Sequence, residues 1–129
     1  MFNKKTKKKL LIVEDDALLS QILSKSFLEK DVEVSVVDNG FKVLESAKKF
    51  GPDAILLDLV LPGLDGFAVL KQLKSAKETR KISVVVLSNL DAVADIKSTQ
   101  VLGAEKHFTK ADIELKKIVD FILNSLLKN

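Results

Sequence analysis

Five short β-type runs, each followed by a longer stretch with apolar residues at helical spacing, constrain the fold of this chain more than any other feature. Parallel neighbouring strands need crossover connections, and right-handed crossovers place the connecting helices on both faces of a sheet. Runs that are apolar almost throughout also indicate strands covered on both faces. The pattern therefore predicts an α/β fold with a single doubly wound parallel sheet of five strands and five helices on two faces. The predicted strands are 10–13, 32–36, 54–57, 82–87 and 105–109.

The flavodoxin-like strand order, 2-1-3-4-5, is the natural arrangement for five such units. The six-stranded dinucleotide-binding order fits less well, because the G-x-G-x-x-G turn that it needs after strand one is missing. In the 2-1-3-4-5 order the winding direction reverses between strands one and three. A ligand crevice is expected there, at the carboxyl ends of the strands.

Local signals predict several helix ends. Asp16 is interpreted as the N-cap of helix one rather than as a direct metal ligand. Asp65-Gly66 is interpreted as the turn that starts helix three. Helix four is expected over about residues 92–102, with Gly103 as a left-handed cap, and Asp112 is predicted to cap the last helix.

A cluster of lysines marks the start of the chain, at Lys4, Lys5, Lys7, Lys8 and Lys9. Blocks of like charge are usually solvated, so residues 1–8 are predicted to form a flexible basic tail and residues 9–129 a single domain. Contact with nucleic acid or with an anionic membrane is the alternative. No arginine or aromatic residue is interleaved with the lysines, so we expect no direct nucleic-acid contact and no membrane contact.

The absence of cysteine excludes disulfides and thiolate chemistry, and it fits a reducing cytoplasm. No apolar run reaches the roughly 18 residues that a membrane span needs. The first residues also lack the apolar segment of a secretory signal. A cytoplasmic location is therefore the expectation, and any metal must be held by oxygen ligands or by His107, the only histidine.

Acidic residues stand at the ends of two predicted strands. Glu14 and Asp15 follow strand one and Asp58 ends strand three, the two strands between which the winding direction reverses. Three carboxylates in one crevice repel one another, so either they take up protons or a cation offsets the repulsion. Mg²⁺ suits such a site because it prefers oxygen ligands. Ser88, which ends strand four, and Lys110, which follows strand five, complete a set suited to phosphoryl transfer.

Four segments in register resemble the receiver domains of two-component response regulators. They are Val13-Glu14-Asp15-Asp16, the run from Leu57-Asp58 to Asp65-Gly66, Leu87-Ser88 and Thr109-Lys110. The resemblance covers nearly the whole chain after the lysine cluster. It implies that Asp58 accepts a phosphoryl group from a histidine kinase or a phosphotransfer protein. It also implies a switch rather than an enzyme, with at most self-phosphorylation and slow autodephosphorylation.

The resemblance implies a role for each remaining site residue. The implied Mg²⁺ ligands are Glu14, Asp15, Asp58 and the backbone carbonyl of Val60. Ser88, in place of the usual threonine, would bond the phosphoryl group, and Lys110 would pair with it. His107 stands where similar domains carry a rotamer-switching aromatic residue, although a half-exposed strand residue is an equally good interpretation.

The same resemblance implies that phosphorylation switches the face formed by helix four, strand five and helix five. The output would pass to a partner protein or to an effector domain that was removed from this chain. A monomer and a phosphorylation-dependent dimer both stay open.

Three features depart from the usual receiver pattern. Asn89 is larger than the usual residue after the hydroxyl, and it is expected either to narrow access to the phosphoryl group or to bond it. Ala111 replaces the usual proline after the lysine, so that peptide bond is expected to be either trans or unusually strained. Val60 and Leu90 are apolar where polar residues often guide the hydrolytic water, from which we expect slow hydrolysis of the acyl phosphate.

Three other functions compete with this interpretation. A receiver-like interaction module that works without phosphorylation is favoured only by Asn89 and Ala111, since no acid, hydroxyl or lysine of the site is missing. A phosphatase of the haloacid dehalogenase type needs a second acid two residues after its nucleophile, where this chain has Val60. The interpretation of the chain as a DNA-binding protein is supported by the lysine cluster alone.

Overall fold

The computed structural model describes residues 6–89, 93–111 and 114–128, with only the backbone of Val93. Five parallel strands form one sheet in the order β2-β1-β3-β4-β5. The strands are β1 (Lys9–Val13), β2 (Glu33–Val37), β3 (Ala54–Leu57), β4 (Ser83–Ser88) and β5 (Lys106–Thr109). The predicted sheet and its strand order are confirmed, and no strand end differs from the prediction by more than one residue.

Five helices connect or follow the strands, as predicted. They are α1 (Ala17–Leu28), α2 (Val43–Phe50), α3 (Gly66–Ser75), α4 (Val93–Val101) and α5 (Leu115–Phe121). A 3₁₀ turn over Gly40–Lys42 leads into α2, and a π-helical segment over Ile122–Leu126 continues α5. None of the described helices is long and apolar enough to cross a membrane.

Two hydrophobic clusters cover the two faces of the sheet. Successive strand residues point to opposite faces, so Leu10 and Ile12 of β1 pack with the inner sides of α1 and α5. Leu11 and Val13 face the other way, where α2 and α3 cover them. β1 and β3 are buried almost throughout. This packing fixes the central strands and therefore the position of their carboxyl ends.

Most of the predicted helix ends are confirmed. The Asp16 carboxylate accepts hydrogen bonds from the N–H groups of Leu18 and Leu19, at 3.0 and 3.2 Å. Asp65 caps α3 in the same way, with bonds of 2.9 and 3.2 Å to the first residues after Gly66. Gly103 has a φ of +103°, a conformation that glycine adopts at no steric cost.

Some predictions fall outside the described residues. They are the N-cap at Asp112, the start of α4 near Ala92, the environment of Leu90 and the first five residues of the tail. The division of the chain at residue 8 stays a prediction. No peptide bond within the described ranges is cis, so the bond between Lys110 and Ala111 is trans.

Candidate functional site

The carboxyl ends of β1 and β3 place two acids side by side. Val13 pairs with Leu57 in the sheet, and the ladder runs one step further, because the N–H of Asp58 donates to the carbonyl of Val13 at 2.9 Å. On the other side of β1, the N–H of Glu14 donates to the carbonyl of Val37 at 3.0 Å. The sheet backbone therefore fixes both acids at its carboxyl edge.

A third acid joins them, so that one carboxylate oxygen each from Glu14, Asp15 and Asp58 lies within 4.8 Å of the others. Glu14 and Asp58 are only 4% and 5% exposed, whereas Asp15 is open to solvent. Burying a carboxylate is costly unless hydrogen bonds or opposite charges compensate. The structure brings together all three acids that the sequence predicted.

Local backbone groups hold the two buried carboxylates. Asp58 Oδ1 accepts a hydrogen bond of 3.1 Å from the N–H of Val60. Glu14 Oε2 accepts one of the same length, 3.1 Å, from the N–H of Asp16. In each case the loop after the strand folds back on the acid that ends it. The second oxygen of each carboxylate remains to face Lys110.

Lys110 supplies a positive charge to the cluster. Its Nζ lies 2.8 Å from Glu14 Oε1 and 3.2 Å from Asp58 Oδ2, and its side chain is 18% exposed. The N–H of Lys110 donates to the carbonyl of Ser88 at 2.9 Å, one step beyond the ladder between β4 and β5. The sheet thus positions the lysine as it positions the acids.

The pKa values of two groups report the balance of burial and charge. Burial raises the pKa of Glu14, and the nearby charge of Asp58 acts in the same direction. Hydrogen bonds from Lys110 and from the N–H of Asp16 oppose this rise without cancelling it. Burial lowers the pKa of Lys110, but hydrogen bonds and charge from Glu14 and Asp58 outweigh it, so the net direction is upward. Lys110 therefore stays protonated.

The donor set fits a hard divalent cation. With every group ionised, three carboxylates and one ammonium carry a net charge of about −2. A divalent ion would balance this charge, and Mg²⁺ and Mn²⁺ both accept oxygen ligands. Glu14, Asp15 and Asp58 are the residues that would hold it. Ligation by the backbone carbonyl of Val60 stays a prediction.

The two predicted switch residues lie on the paired strands β4 and β5. Ser88 ends β4, is fully buried, and pairs with Thr109 of β5. His107 is half-buried on β5, and its Nδ1 lies 2.9 Å from the hydroxyl of Thr99 on α4. Asn89 is exposed, and its predicted effect on the phosphoryl group is not tested by these contacts.

Comparison with known proteins identifies the family. The family model for the response regulator receiver domain matches residues 10–122. The chain belongs to this family. The match includes the three clustered acids, Ser88, His107 and Lys110, so the receiver domain spans the whole site described above.

Individual relatives agree with this assignment. The receiver domain is 32% identical, over 102 residues, to the sporulation initiation phosphotransferase F of Bacillus subtilis, covering 79% of this chain and 81% of that protein. It is 37% identical to the transcriptional activator protein PfeR of Pseudomonas aeruginosa, covering 79% of this chain but only 32% of that protein. The Mn²⁺-bound form of response regulator Rcp1 superposes with a TM-score of 0.83 at 27% identity, covering 95% and 96% of the two chains.

Two structural features of this receiver domain were not predicted from the sequence. The first is Thr99, whose hydroxyl contacts His107. The second is the close packing of Gly66 on the loop that follows β3, where an added Cβ would overlap the backbone of Leu59 and lie 2.7 Å from the carbonyl of Asp58. The glycine itself was visible in the sequence, but Asp65-Gly66 is also an ordinary turn sequence, so it did not indicate this close packing.

Proposed function

We propose that this receiver domain is a Mg²⁺-dependent phosphoacceptor in which Asp58 takes a phosphoryl group from a phosphohistidine donor. The observation that carries the proposal is the convergence of three carboxylates and one ammonium at the end of β3. Phosphoryl transfer asks a protein mainly for positioning and for charge neutralisation, and the sheet edge supplies both.

The reaction is a direct displacement at phosphorus. An oxygen of the Asp58 carboxylate forms a bond to phosphorus as the bond between phosphorus and the donor imidazole nitrogen breaks, and the nitrogen keeps the electron pair. A cation held by Glu14, Asp15 and Asp58 would supply positive charge for the phosphoryl oxygens. Lys110 reaches Asp58 from the β5 side and pairs with the transferred group. The hydroxyl of Ser88, at the neighbouring strand end, donates a hydrogen bond to it.

The phosphoryl donor is a histidine kinase or a phosphotransfer protein. The similarity to a Bacillus subtilis phosphotransferase supports a role in phosphoryl relay, and the similarity to a Pseudomonas aeruginosa transcriptional activator supports an output through other domains or proteins. Phosphorylation shifts the balance between two conformations of the face formed by α4, β5 and α5. Ser88 and Lys110 stand at the two ends of the chain segment that includes α4 and β5, so both ends of this segment lie at the site.

The chemistry is testable without the natural donor. The chain is incubated with acetyl phosphate, with and without Mg²⁺, and intact mass is measured. We expect a Mg²⁺-dependent gain of about 80 Da, the mass of one phosphoryl group. Borohydride reduction then converts the acyl phosphate into homoserine, and peptide mapping is expected to locate it at position 58. Absence of the adduct, or its equal formation in chelator, would contradict the proposal.

Binding of Mg²⁺ is expected to stabilise the fold through Asp15. At a metal concentration about a hundred times Kd, the free energy of unfolding should rise by roughly 2–3 kcal/mol. Asp15→Asn should remove most of this gain, because it deletes an exposed ligand at little cost to the fold. Asp16→Asn is the matched control, since asparagine also caps helices well. Thermal unfolding at increasing Mg²⁺ measures both, and equal shifts in the two variants would count against the site.

The lifetime of the acyl phosphate is expected to depend on Val60. Its side chain is 58% exposed, two residues after Asp58, and offers no polar group to an approaching water. Val60→Asn should shorten the half-life by roughly three-fold or more, because a carboxamide can orient that water. Val60→Ala, which removes bulk without adding polarity, should leave the half-life close to wild type. Loss of a radiolabelled phosphoryl group gives both rates, and identical rates would refute the expectation.

A further inference from the structure

The hydroxyl of Thr99 joins α4 to β5. Thr99 lies on α4 and is fully buried, and its Oγ1 is 2.9 Å from Nδ1 of His107 on β5. The same oxygen lies 2.9 Å from the backbone carbonyl of Ile96, one turn earlier in α4. A buried threonine of a helix commonly bonds its own helix; here it also bonds a side chain of the neighbouring strand.

The available protons fix the direction of the two bonds. The hydroxyl has one proton, and the carbonyl of Ile96 can only accept. For both contacts to be hydrogen bonds, Thr99 must donate to Ile96 and accept from an Nδ1–H of His107. The arrangement therefore selects an imidazole that is protonated at Nδ1, and it sets the direction in which the ring points.

His107 lies on the strand that leads to the proposed phosphoryl site. It pairs with Val86 of β4, two residues before Ser88, and it precedes Lys110 by three residues on β5. α4 follows β4 in the chain, so the bond between Thr99 and His107 links the segment after Ser88 to the strand that leads to Lys110. A movement of Ser88 toward a phosphoryl group would therefore act on both elements that this bond joins.

We propose that Thr99 is the positioning residue that holds the His107 ring against α4 in the unphosphorylated receiver domain. The inference rests on the proposed phosphoacceptor function and adds to it the contact that resists switching. A donor and an acceptor that lie about 3.6 Å apart no longer form a hydrogen bond. A change of the His107 rotamer carries Nδ1 away from a hydroxyl that is anchored to its own helix, so the switched state gives up this bond.

The equilibrium consequence follows from linkage. A contact made only in the unphosphorylated state lowers the affinity for any ligand that favours the other state. Beryllofluoride with Mg²⁺ serves as the probe, because it occupies a carboxylate as a phosphoryl group does without being hydrolysed. Removal of the Thr99 hydroxyl should lower the half-saturating beryllofluoride concentration by about two-fold to ten-fold, the equivalent of one typical buried hydrogen bond.

The variants separate this contact from general effects on α4. Thr99→Val keeps the shape and removes the hydroxyl, and Thr99→Ser keeps the hydroxyl and should restore wild-type affinity. Ser98→Ala is the control on the same helix, because the Ser98 hydroxyl bonds the carbonyl of Ala94 within α4, at 2.8 Å. This control should bind beryllofluoride as the wild type does.

The single histidine gives a direct spectroscopic readout. Long-range proton–nitrogen NMR spectra are recorded on the full chain. We expect Nδ1 of His107 to be protonated in the wild type and in Thr99→Ser. In Thr99→Val the ring signals should move toward their positions in the beryllofluoride-bound wild type. The wild-type spectrum alone tests the contact, even where Thr99→Val does not fold.

The outcomes distinguish this inference from the proposed function. An Nδ1 without a proton in the wild type, or unchanged affinity and ring signals in a folded Thr99→Val, would overturn the role of Thr99 while the acetyl phosphate adduct still forms. A wild-type chain that forms no Mg²⁺-dependent adduct would overturn the proposed function and this inference together. Tighter beryllofluoride binding in Thr99→Val, with Thr99→Ser and Ser98→Ala at wild-type values, supports the inference.

Discussion

Asp58→Asn is expected to abolish the phosphoryl adduct that wild type forms with acetyl phosphate and Mg²⁺. The carboxamide has nearly the shape of the carboxylate but carries no negative charge, so it is a much weaker nucleophile and a weaker metal ligand. Asp58 Oδ2 also faces Lys110 at 3.2 Å, and an amide in its place loses most of that attraction. Intact mass spectrometry should show no gain of about 80 Da at any incubation time that saturates the wild type.

Asp38→Asn is the matched control for that experiment. Asp38 follows β2 at the same carboxyl edge of the sheet, is exposed, and stands outside the cluster of three acids. This variant should take up the phosphoryl group at the wild-type rate. An adduct that persists in Asp58→Asn, or that disappears equally in Asp38→Asn, would show that the acceptor is not the buried aspartate at the end of β3.

The same comparison separates the two leading functions. A receiver-like interaction module that works without phosphorylation would form no adduct even in the wild type. Lys110, Glu14 and Asp58 are all present, and the ammonium group of the lysine contacts both carboxylates. The residues that phosphorylation would need are therefore in place. The departures at Asn89 and Ala111 do not disturb this geometry, since the bond after Lys110 is trans and Nζ still reaches both acids.

The fold was predictable because its signal is repeated along the whole chain. Each buried strand reads as an apolar run that stops at a polar residue, and most of the helices carry one apolar side. Leu57 and Asp58 illustrate this pattern, since the last buried strand residue is followed directly by the acid. The topology then brings the strand ends together, which is why the sequence predicts the cluster of Glu14, Asp15 and Asp58.

Contacts between distant side chains carry no such signal. Thr99 and His107 are eight positions apart on different elements, and nothing in the order of residues says that their polar atoms meet. The same holds for Lys110, whose position after β5 was predicted but whose two carboxylate partners depend on side-chain geometry. Sequence patterns give the faces and ends of elements, whereas the partners of individual polar atoms depend on packing.

Gly66→Ala is expected to destabilise the fold strongly and to displace the backbone of Asp58 and Leu59 at the same time. Gly66 begins α3, and its N–H donates to the carbonyl of Leu59 at 2.8 Å. An added Cβ would overlap the Leu59 backbone and lie 2.7 Å from the carbonyl of Asp58. Backbone cannot swing aside as a side chain can, so we expect a loss of about 3 kcal/mol in the free energy of unfolding.

Gly51→Ala separates this steric effect from the conformational preference of glycine. Gly51 has a φ of +64°, and an added Cβ there meets nothing within 4 Å, whereas Gly66 is not among the described residues with positive φ. Gly51→Ala therefore adds backbone strain without a clash. The lower entropy of the unfolded alanine variant offsets part of this strain, so we expect a loss of about 1 kcal/mol in the free energy of unfolding. Urea unfolding with unchanged m values measures both variants. Of these two glycines, only Gly66 lies against the backbone of Asp58, so Gly66→Ala alone should also slow phosphorylation by acetyl phosphate. If the folded Gly66→Ala and Gly51→Ala variants were phosphorylated at the same rate, the packing of α3 on the loop after β3 would not position the aspartate.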